Sequence, residues 1–504
     1  MKKKMLFLMA AIALFVPSVM ASEKTASNEA ELTTAFKTAA TGDVIKLTSD
    51  IKNIKSDNKA LKVDGGRDIT LDLNGHNITI DPAGTKDSNG SINGTYRSII
   101  IEDGKLTIKG KGVITHETHV AVNVWALNTG SNGYSKLVVE KDVTLKGKTA
   151  LSVFDYDATT KIGTNATVDF YGKAIGCENG ITINGNIQQA SNAPVVNIKS
   201  GAEISATDKD GVAIYAAGNG TWNISEGVTA TGVGSAIGIK AGTLNIDGGT
   251  FTATGDYNVK PKSLPGDMDP SGCAIQVENN TGYYGHVKLN ITGGEFTSQN
   301  GNAILEYGSD TTTAVENITI AGGSFAAAEG KDTIVVSKGL ASLQNSDNTA
   351  VKPIAIGGGY FANGIDNEYV ENGNIIIDFA TILDGEVTDL GNELGSIVVP
   401  AGTVLDEDTI SDLEDLIGEE EDGYKLEGYY FDSKLKNKAD FTKAFDENTT
   451  IYMNFVKVET KNATKTEENP KTSDINLALI LSMIALGSAG AVISYKKKNA
   501  KVNG

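Results

Sequence analysis

The chain has 504 residues, of which 57 are Gly, 9 are Pro and 6 % are aromatic. It is long enough for several domains but poor in the large aromatic side chains that fill globular cores. This composition suits a solenoid, whose narrow core is built from ladders of aliphatic side chains. The formal net charge is -19, and because a strongly acidic surface repels phosphate, we expect no nucleic-acid partner.

The first 21 residues have the three parts of a secretory signal peptide. Lys2, Lys3 and Lys4 form the positive start, residues 5–16 are an apolar run, and small residues precede the predicted cut between Ala21 and Ser22. The apolar run is short for a membrane-spanning helix, which favours a cleaved signal over an uncleaved anchor. We therefore expect the protein outside the cell.

Residues 28–40 are expected to form a short amphipathic helix. Asn28 is a capping residue, Glu31 follows three positions later, and Gly42 ends the segment. The apolar face consists of Leu32, Ala35, Phe36 and Ala39. We expect this helix to lie across the open strand edges at the start of a sheet and to prevent edge-to-edge association.

A unit of eight residues occurs four times in the middle of the chain. Residues 289–296 read Leu-Asn-Ile-Thr-Gly-Gly-Glu-Phe, and related units begin at Leu244, Ile318 and Ile354, so that the copies start 45, 29 and 36 residues apart. Alternating apolar residues, a Gly-Gly pair and a closing aromatic predict a short strand, a corner and the start of a second strand. Such periods indicate a solenoid, and units made only of strands favour a β-helix.

Residues 43–399 contain strand after strand, with a second family such as residues 274–277 between the Gly-Gly units. We interpret the two families as two faces of each coil, which predicts roughly a dozen coils and a rod on the order of 55 Å long. Residues 28–47 and 69–76 resemble the first coils of right-handed parallel β-helix proteins of the pectate-lyase-like type. This resemblance implies a mainly β fold, a right-handed parallel β-helix (solenoid) with an N-terminal capping helix, over residues 22–400.

Residues 401–458 differ from the repeats before them. Residues 423–432, the Asp440-Phe441 pair and residues 449–452 resemble the β-grasp repeat of internalins and other bacterial surface proteins, with Tyr429 where Trp is usual and Phe455 as the last aromatic. The resemblance implies a small β-grasp module that acts as a spacer or as a partner-binding domain. A polar linker, residues 459–468, follows.

Residues 469–504 contain a short motif, an apolar segment and a basic end. Residues 477–495 are 19 residues without a charge, long enough as a helix to span about 28 Å of membrane, and four Lys residues follow them. The motif consists of Asn469, Pro470, Lys471, Thr472 and Ser473.

This order resembles the cell-wall sorting signal of Gram-positive surface proteins, with residues 469–473 in the place of Leu-Pro-x-Thr-Gly. The resemblance implies that a sortase cysteine attacks the carbonyl of Thr472, releases the chain from Ser473 onward and passes Thr472 to an amino group of peptidoglycan. The protein would then be anchored covalently to the cell wall and would be held in the membrane only as a precursor. Asn469 and Ser473 depart from the usual pattern, which leaves the sortase class open. The alternative interpretation of the tail is a plain membrane anchor.

An enzyme on the same scaffold, a polysaccharide lyase or glycoside hydrolase, is the alternative to a binding protein. The resemblance implies that a lyase would use a basic side chain beside bound calcium, but the two Arg residues, Arg67 and Arg97, both lie in the first coils. Removing the signal peptide and the residues after Thr472 leaves a net charge of -25, which opposes an anionic substrate. Asp155 and Asp157 have the spacing of a hydrolytic carboxylate pair, but we favour the interpretation that they belong to a polar turn after the preceding strand.

No cofactor or metal is expected. His116 and His119 fall in a predicted turn, where the spacing of the two rings does not make them converge on an ion. Cys177 and Cys273 are predicted to be free thiols, because about three coils, or roughly 14 Å, separate them. Aromatic side chains could stack on sugar rings along one flank or simply pack between coils.

We therefore predict a surface adhesin or structural display protein that is not an enzyme. Its partner is expected to be a glycan or a protein of a host or of a neighbouring cell. We expect specificity in the insertions between the repeated units, residues 254–270 and 338–352, because loops held out by a rigid repeat vary without cost to the core.

Overall fold

The computed structural model describes residues 21–457 with internal gaps. The sorting motif, the linker and nearly all of the predicted signal peptide lie outside the described residues. The internal gaps are 55–60, 81–97, 117, 126–133, 155–164, 185–192, 258–267, 280–286, 309–316, 337–353, 384, 388–393, 406–409, 412–419 and 422–423.

The protein is mainly β, with strands that stack parallel in long sheets, as in a solenoid. The first sheet has 12 strands, and every pairing in it is parallel. Twelve strands at about 4.8 Å make a stack roughly 50 Å long, close to the length that the sequence predicted. The strands are Glu23–Ala26, Val44–Leu47, Arg67–Asp72, Gly104–Lys109, Tyr134–Val139, Asn165–Phe170, Val195–Ile198, Thr221–Ile224, Thr243–Ile246, Lys288–Ile291, Asn317–Ile320 and Ile354–Ile356.

The second sheet has 25 described strands. Most of them stack parallel, and the last ones pair antiparallel as well. The strands are Ile51–Ile54, Lys62–Val63, Ile78–Ile80, Ile99–Ile101, Gly112–His116, Val120–Trp125, Val143–Phe154, Lys173–Asn184, Glu203–Ala206, Val212–Ala217, Thr229–Gly232, Ser235–Ile239, Thr250–Ala253, Cys273–Asn279, Glu295–Ser298, Ile304–Gly308, Ser324–Ala326, Ile334–Val335, Gly359–Phe361, Asn374–Leu383, Glu386–Val387, Ser396–Pro400, Glu420–Glu421, Tyr424–Tyr430 and Thr449–Lys457.

The complete coils contribute to three parallel stacks of strands, so the predicted two faces per coil are wrong. In one coil, Lys288–Ile291 belongs to the first sheet, and Glu295–Ser298 and Ile304–Gly308 belong to two separate stacks of the second sheet. The two stacks join through Val143–Phe154 and Lys173–Asn184, each of which pairs in both. The sequence pattern did not separate two of the three faces, because the repeated unit begins in the first sheet, turns a corner and ends in the second.

The repeated unit builds the core, as predicted. Phe296 stacks on Phe251 and Phe325 with ring centroids 4.9 Å apart and interplanar angles of 7°, and Phe361 continues the stack at 5.2 Å. All four rings are fully buried. Leu289 lies in register with Leu244 and Ile318, so the aliphatic positions of the unit form a second ladder.

The second glycine of each Gly-Gly pair makes the corner. Gly294 has a φ of +108°, a conformation that L side chains rarely adopt, and a Cβ on Gly293 would lie 2.7 Å from the carbonyl oxygen of Asp247. Glycine is therefore required at the corner by backbone conformation and by the close approach of the previous coil.

The N-terminal helix forms as predicted, over Glu29–Thr38. The Asn28 side chain accepts a hydrogen bond from the Glu31 N–H at 3.1 Å, and Leu32 and Phe36 are buried in the same core cluster as the first strands. The Arg67 guanidinium donates to the carbonyl oxygens of Phe36 and Ala39, at 2.7 and 3.0 Å, which satisfies the end of the helix. Arg67 thus has a structural role at the first coil.

The predicted boundary at residue 400 falls within one continuous sheet. Asn374–Leu383 pairs antiparallel with Ser396–Pro400 on one side and parallel with Thr449–Lys457 on the other. Ile377, Phe379 and Ile451 share one buried cluster. A 3-10 turn at Asn367–Tyr369 precedes this sheet. Among the described residues, no helix is long and apolar enough to cross a membrane.

We expect Phe296→Ala to lower the free energy of unfolding by about 3–5 kcal/mol, because it opens a cavity between two rings that cannot close up. Phe296→Leu should cost less, about 1.5 kcal/mol, because it keeps most of the volume. Urea denaturation followed by circular dichroism measures both. Tyr171→Ala, at a ring that is 39 % exposed, is the control. A loss for Phe296→Ala no larger than that of the control would contradict the stacked core.

Candidate functional site

The residues that the sequence singled out for chemistry lie mostly outside the described residues. Asp155 and Asp157 fall in the gap 155–164, and Asn469 to Ser473 lie beyond residue 457. Ser22, the predicted first residue of the mature chain, is described, and its N–H donates to Asp43 Oδ1 at 2.9 Å. The structure therefore brings no predicted catalytic pair together within its described part.

His116 is the last residue of the strand Gly112–His116, and His119 lies in a bend shortly after it. His116 Nδ1 accepts the backbone N–H groups of Thr118 and His119 at 3.3 and 3.1 Å. Burial, and after it the charge of Lys148, lowers the pKa of His119. In the part of the chain that the structure describes, no group of three or more His, Cys, Asp or Glu side chains is arranged to hold a metal ion. Cys177 and Cys273 are both free thiols.

Among the described residues, the aromatic side chains do not form a single exposed strip. Trp222, Tyr215 and Tyr307 are buried, whereas Tyr134 and Tyr171 are each 39 % exposed. Tyr134 donates its hydroxyl to Asp68 Oδ1 at 2.5 Å, and this carboxylate raises the pKa of Tyr134 to about 12. Tyr156, Tyr283 and Tyr284 fall in gaps. Three of these described aromatics are thus buried, and only Trp222 among them belongs to the central core.

A cluster of buried polar side chains lies on three successive coils. We call it the buried polar cluster, and its members come from or directly follow the strands Ser235–Ile239, Cys273–Asn279 and Ile304–Gly308, together with the end of the insertion 254–270. All six side chains are at most 7 % exposed. They are Ser235, Lys240, Ser271, Gln276, Glu278 and Tyr307.

Strand alternation places these side chains on the face away from the coil interior. Ile275 and Val277 belong to the central core, so Gln276 and Glu278, one position on in each case, point the opposite way. Glu278 is in register with Tyr307 of the next coil. Gln276 and Glu278 alternate with core residues in the sequence, but outward polar side chains are ordinarily solvated. Both are nevertheless buried here: Gln276 is bonded to Asp269 and Ser271, and Glu278 contacts Lys240 and Tyr307. The sequence carried no signal for this burial.

Gln276 connects two coils to the insertion. Its Nε2 donates to Tyr307 Oη at 2.8 Å and to the carbonyl oxygen of Asp269 at 2.5 Å. Its Oε1 accepts from the hydroxyls of Ser235 and Ser271 at 2.7 and 2.6 Å. The amide therefore uses both donors and both lone pairs, which fixes its orientation.

Lys240 and Glu278 form an ion pair that is closed to solvent. Lys240 Nζ lies 3.1 Å from Glu278 Oε2, and both side chains are 0 % exposed. Tyr307 donates its hydroxyl to the same carboxylate oxygen at 3.0 Å. Burial, followed by the charge of Glu278, raises the pKa of Tyr307 far above its ordinary value, so the phenol stays protonated and remains a donor.

The cluster fixes the end of the insertion rather than presenting a reactive group. Asp269 and Ser271 are bonded to Gln276, and Met268 packs against Val212 and Tyr215 of the earlier coil. A closed, fully bonded network of this kind specifies one geometry for the segment it holds. The arrangement can therefore position the insertion 254–270, whose residues 258–267 lie outside the described residues.

A second polar row runs along the outer face of the first sheet. This asparagine ladder consists of Asp169, Asn197, Asn223, Asn245 and Asn290, and each amide Nδ2 donates to the side-chain oxygen of the preceding member at 2.8–2.9 Å. Partial burial opposes ionisation of Asp169, but the hydrogen bond from Asn197 and the nearby Lys136 lower its pKa. The sequence shows an Asn between two apolar residues in each of the last four of these strands. The hydrogen bonds between the Asn side chains were not predicted.

Comparisons of the chain with protein-family models, with curated proteins and with solved structures found no match.

We expect Glu278→Gln to lower the free energy of unfolding by about 3–5 kcal/mol, because it removes the carboxylate charge that faces the buried Lys240 ammonium. Adding Lys240→Met should recover part of the loss, since the double variant buries neither charge of the pair. Thermal and urea denaturation measure both variants.

Glu203→Gln is the matched control. Glu203 pairs with Lys173 at 2.7 Å, but the two side chains are 57 % and 46 % exposed. Its removal should cost less than about 1 kcal/mol. A loss of unfolding free energy for Glu278→Gln as small as that of the control would show that Lys240 and Glu278 do not act as a buried pair. A double variant less stable than Glu278→Gln would show the same.

Proposed function

We propose that the protein is a secreted adhesin or structural display protein, attached to the cell wall of a Gram-positive bacterium. In this proposal a right-handed parallel β-helix and a β-grasp module together make up residues 22–458 and are joined by the sheet that runs across residue 400. Residues 469–504 form a sorting signal with a membrane-spanning helix. The protein is a substrate of a sortase and is joined to peptidoglycan through Thr472. Its partner is a glycan or a protein outside the cell.

The anchored insertion is the observation that carries the display role. The buried polar cluster ties residues 268–271 to three coils through the hydrogen bonds of Gln276, and Met268 adds an apolar contact. A repeat scaffold alone needs no such network, because its own ladders hold the coils together. Buried polar bonds that hold the base of a surface loop favour a fixed position for that loop, which supports a role in recognition.

Attachment to the wall rests on the sequence of the tail. A sorting motif, an apolar segment of 19 residues and a basic end occur in the required order. The apolar segment and the Lys residues would hold the exported chain at the membrane while a transpeptidase acts on Thr472. A rod of stacked coils between the wall and the insertions suits a molecule that must hold a binding surface away from the cell.

Thr472→Ala should move the protein from the cell-wall fraction to the membrane fraction of the producing bacterium, because it removes the threonine side chain that the sorting motif requires while the apolar segment remains. Immunoblots of lysozyme-released wall and of membranes measure the shift. Thr464→Ala is the control, because it makes the same side-chain change in the linker, outside the motif. An unchanged distribution for Thr472→Ala would refute the sorting signal.

Replacing residues 258–267 with a short Gly-Ser linker should abolish binding to a glycan array or to host cells while leaving the melting temperature unchanged. The reason is that residues 268–271 and their bonds to Gln276 remain in place. The same replacement of residues 338–352 tests the second insertion. Full binding by both variants would contradict a recognition role for the insertions.

The polysaccharide lyase or hydrolase remains the alternative, and the spacing of Asp155 and Asp157 is the observation that favours it. Incubation with a panel of polysaccharides, followed by assays for reducing ends and unsaturated products, separates the two functions. The display protein should release no product above that of an Asp155→Asn, Asp157→Asn variant. Turnover that this double substitution removes would establish the enzyme instead.

A further inference from the structure

A buried carboxylate binds the predicted mature N-terminus. Asp43 Oδ1 accepts the backbone N–H and the hydroxyl of Ser22 at 2.9 and 2.8 Å, and Oδ2 accepts the Ala40 N–H at 3.0 Å. The Asp43 side chain is 5 % exposed. The hydrogen bonds from Ala40 and Ser22 lower the pKa of Asp43 to about 2, so the group is ionised at neutral pH.

The nitrogen of Ser22 changes its chemistry when the bond before it is cut. In the precursor it is a neutral amide with one hydrogen to donate. After hydrolysis of the Ala21–Ser22 bond it becomes an α-ammonium group with three hydrogens and a full positive charge. A charged donor on a carboxylate makes a shorter bond that is about twice as strong as a neutral one.

We propose that removal of the signal peptide creates an ion pair between the Ser22 α-ammonium and Asp43, and that this pair locks the first strand onto the first coil. The proposal rests on the predicted cleavage before Ser22. Removal of the signal peptide then also stabilises the N-terminal end of the fold, because it supplies the cation of this ion pair.

Backbone hydrogen bonds connect the segment that begins at Ser22 to the strand that follows Asp43. The Val44 N–H donates to the Ser22 carbonyl at 2.9 Å, and the Thr48 N–H donates to the Ala26 carbonyl at 3.0 Å, so both ends of Glu23–Ala26 are bonded to the next strand. Of the charged neighbours, Lys24 Nζ lies 3.6 Å from Asp43 Oδ2, and Lys46 pairs with Glu23. Lys24 is thus a more distant cation on the same carboxylate, and the α-ammonium has the closer position.

Two chains that differ by one residue test the proposal. One begins at Ser22 and the other at Ala21, and both run to Gly504 in mild detergent. We expect the amides of Val44 and Thr48 to exchange hydrogen about five- to tenfold faster in the longer chain, because its Ser22 nitrogen is a neutral amide. Asp43→Asn should remove this difference, whereas Lys24→Gln should preserve it. Equal exchange in the two unsubstituted chains, or the same difference with Asp43→Asn, would overturn the ion pair.

The titration of the α-amino group is a second readout. Pairing with Asp43 should raise the pKa of the Ser22 amine above its ordinary value of about 8. The stabilisation is then complete below about pH 8 and is lost as the pH rises through the raised value. Nitrogen-15 chemical shifts follow this titration, and an ordinary pKa for the amine would contradict the pair.

N-terminal sequencing of the secreted protein tests the premise separately. A mature chain that begins with Ser22 supports the proposal, and a cut at another bond overturns the link to processing even if the engineered chains behave as expected. Attachment to the wall is measured with Thr472→Ala and does not depend on either result.

Discussion

Stacking of like side chains on adjacent coils, about 4.8 Å apart, is the interaction on which this fold depends. Inside the coils, Phe251, Phe296 and Phe325 stack nearly parallel, and outside them Asn223, Asn245 and Asn290 pass one hydrogen bond to the next. Each ladder requires the same residue type at the same register position. A one-residue slip would bring unlike side chains together and would turn each core residue to the outer face. The two ladders therefore specify the register from both sides of the sheet wall.

Ladders that hold the coils together leave the connections between strands free to vary in length. The four repeated units start 45, 29 and 36 residues apart and still place Phe296 on Phe251 and Phe325 on Phe296. The extra residues lie between strands, for example between Thr250–Ala253 and Cys273–Asn279. Residues 268–271 belong to no strand and therefore to no ladder. They are held by hydrogen bonds to Gln276, in the same buried polar cluster as the Lys240–Glu278 pair. Charge and hydrogen bonds thus provide the fixed geometry that the repeat cannot provide there.

Features set by neighbouring residues were predictable, whereas features set by distant residues were not. The helix, its Asn28 cap, the Gly-Gly corners and the inward Phe residues follow from periodicity and backbone conformation, and the sequence predicted all of them. The third stack of strands was missed because the repeated unit of eight residues contributes to two sheets. The burial of Glu278 depends on Lys240 of the previous coil and Tyr307 of the next, and the sheet across residue 400 depends on pairing between strands about 70 residues apart. Alternation along a single strand contains no information about either.

The beginning of the stack is covered by a helix, and at its end one of the three stacks is covered by an antiparallel strand. At the beginning, the edge strand Glu23–Ala26 is short and charged, and the helix Glu29–Thr38 packs Leu32 and Phe36 against the first coil. At the end, Gly359–Phe361 pairs antiparallel with Ser396–Pro400, which pairs in turn with Asn374–Leu383. An open edge in a sheet of parallel strands is a template for association with another chain. A reversal of strand direction stops parallel stacking because the next coil has no parallel partner to extend, and an acidic surface adds repulsion between copies. These devices oppose edge-to-edge association of one rod with another.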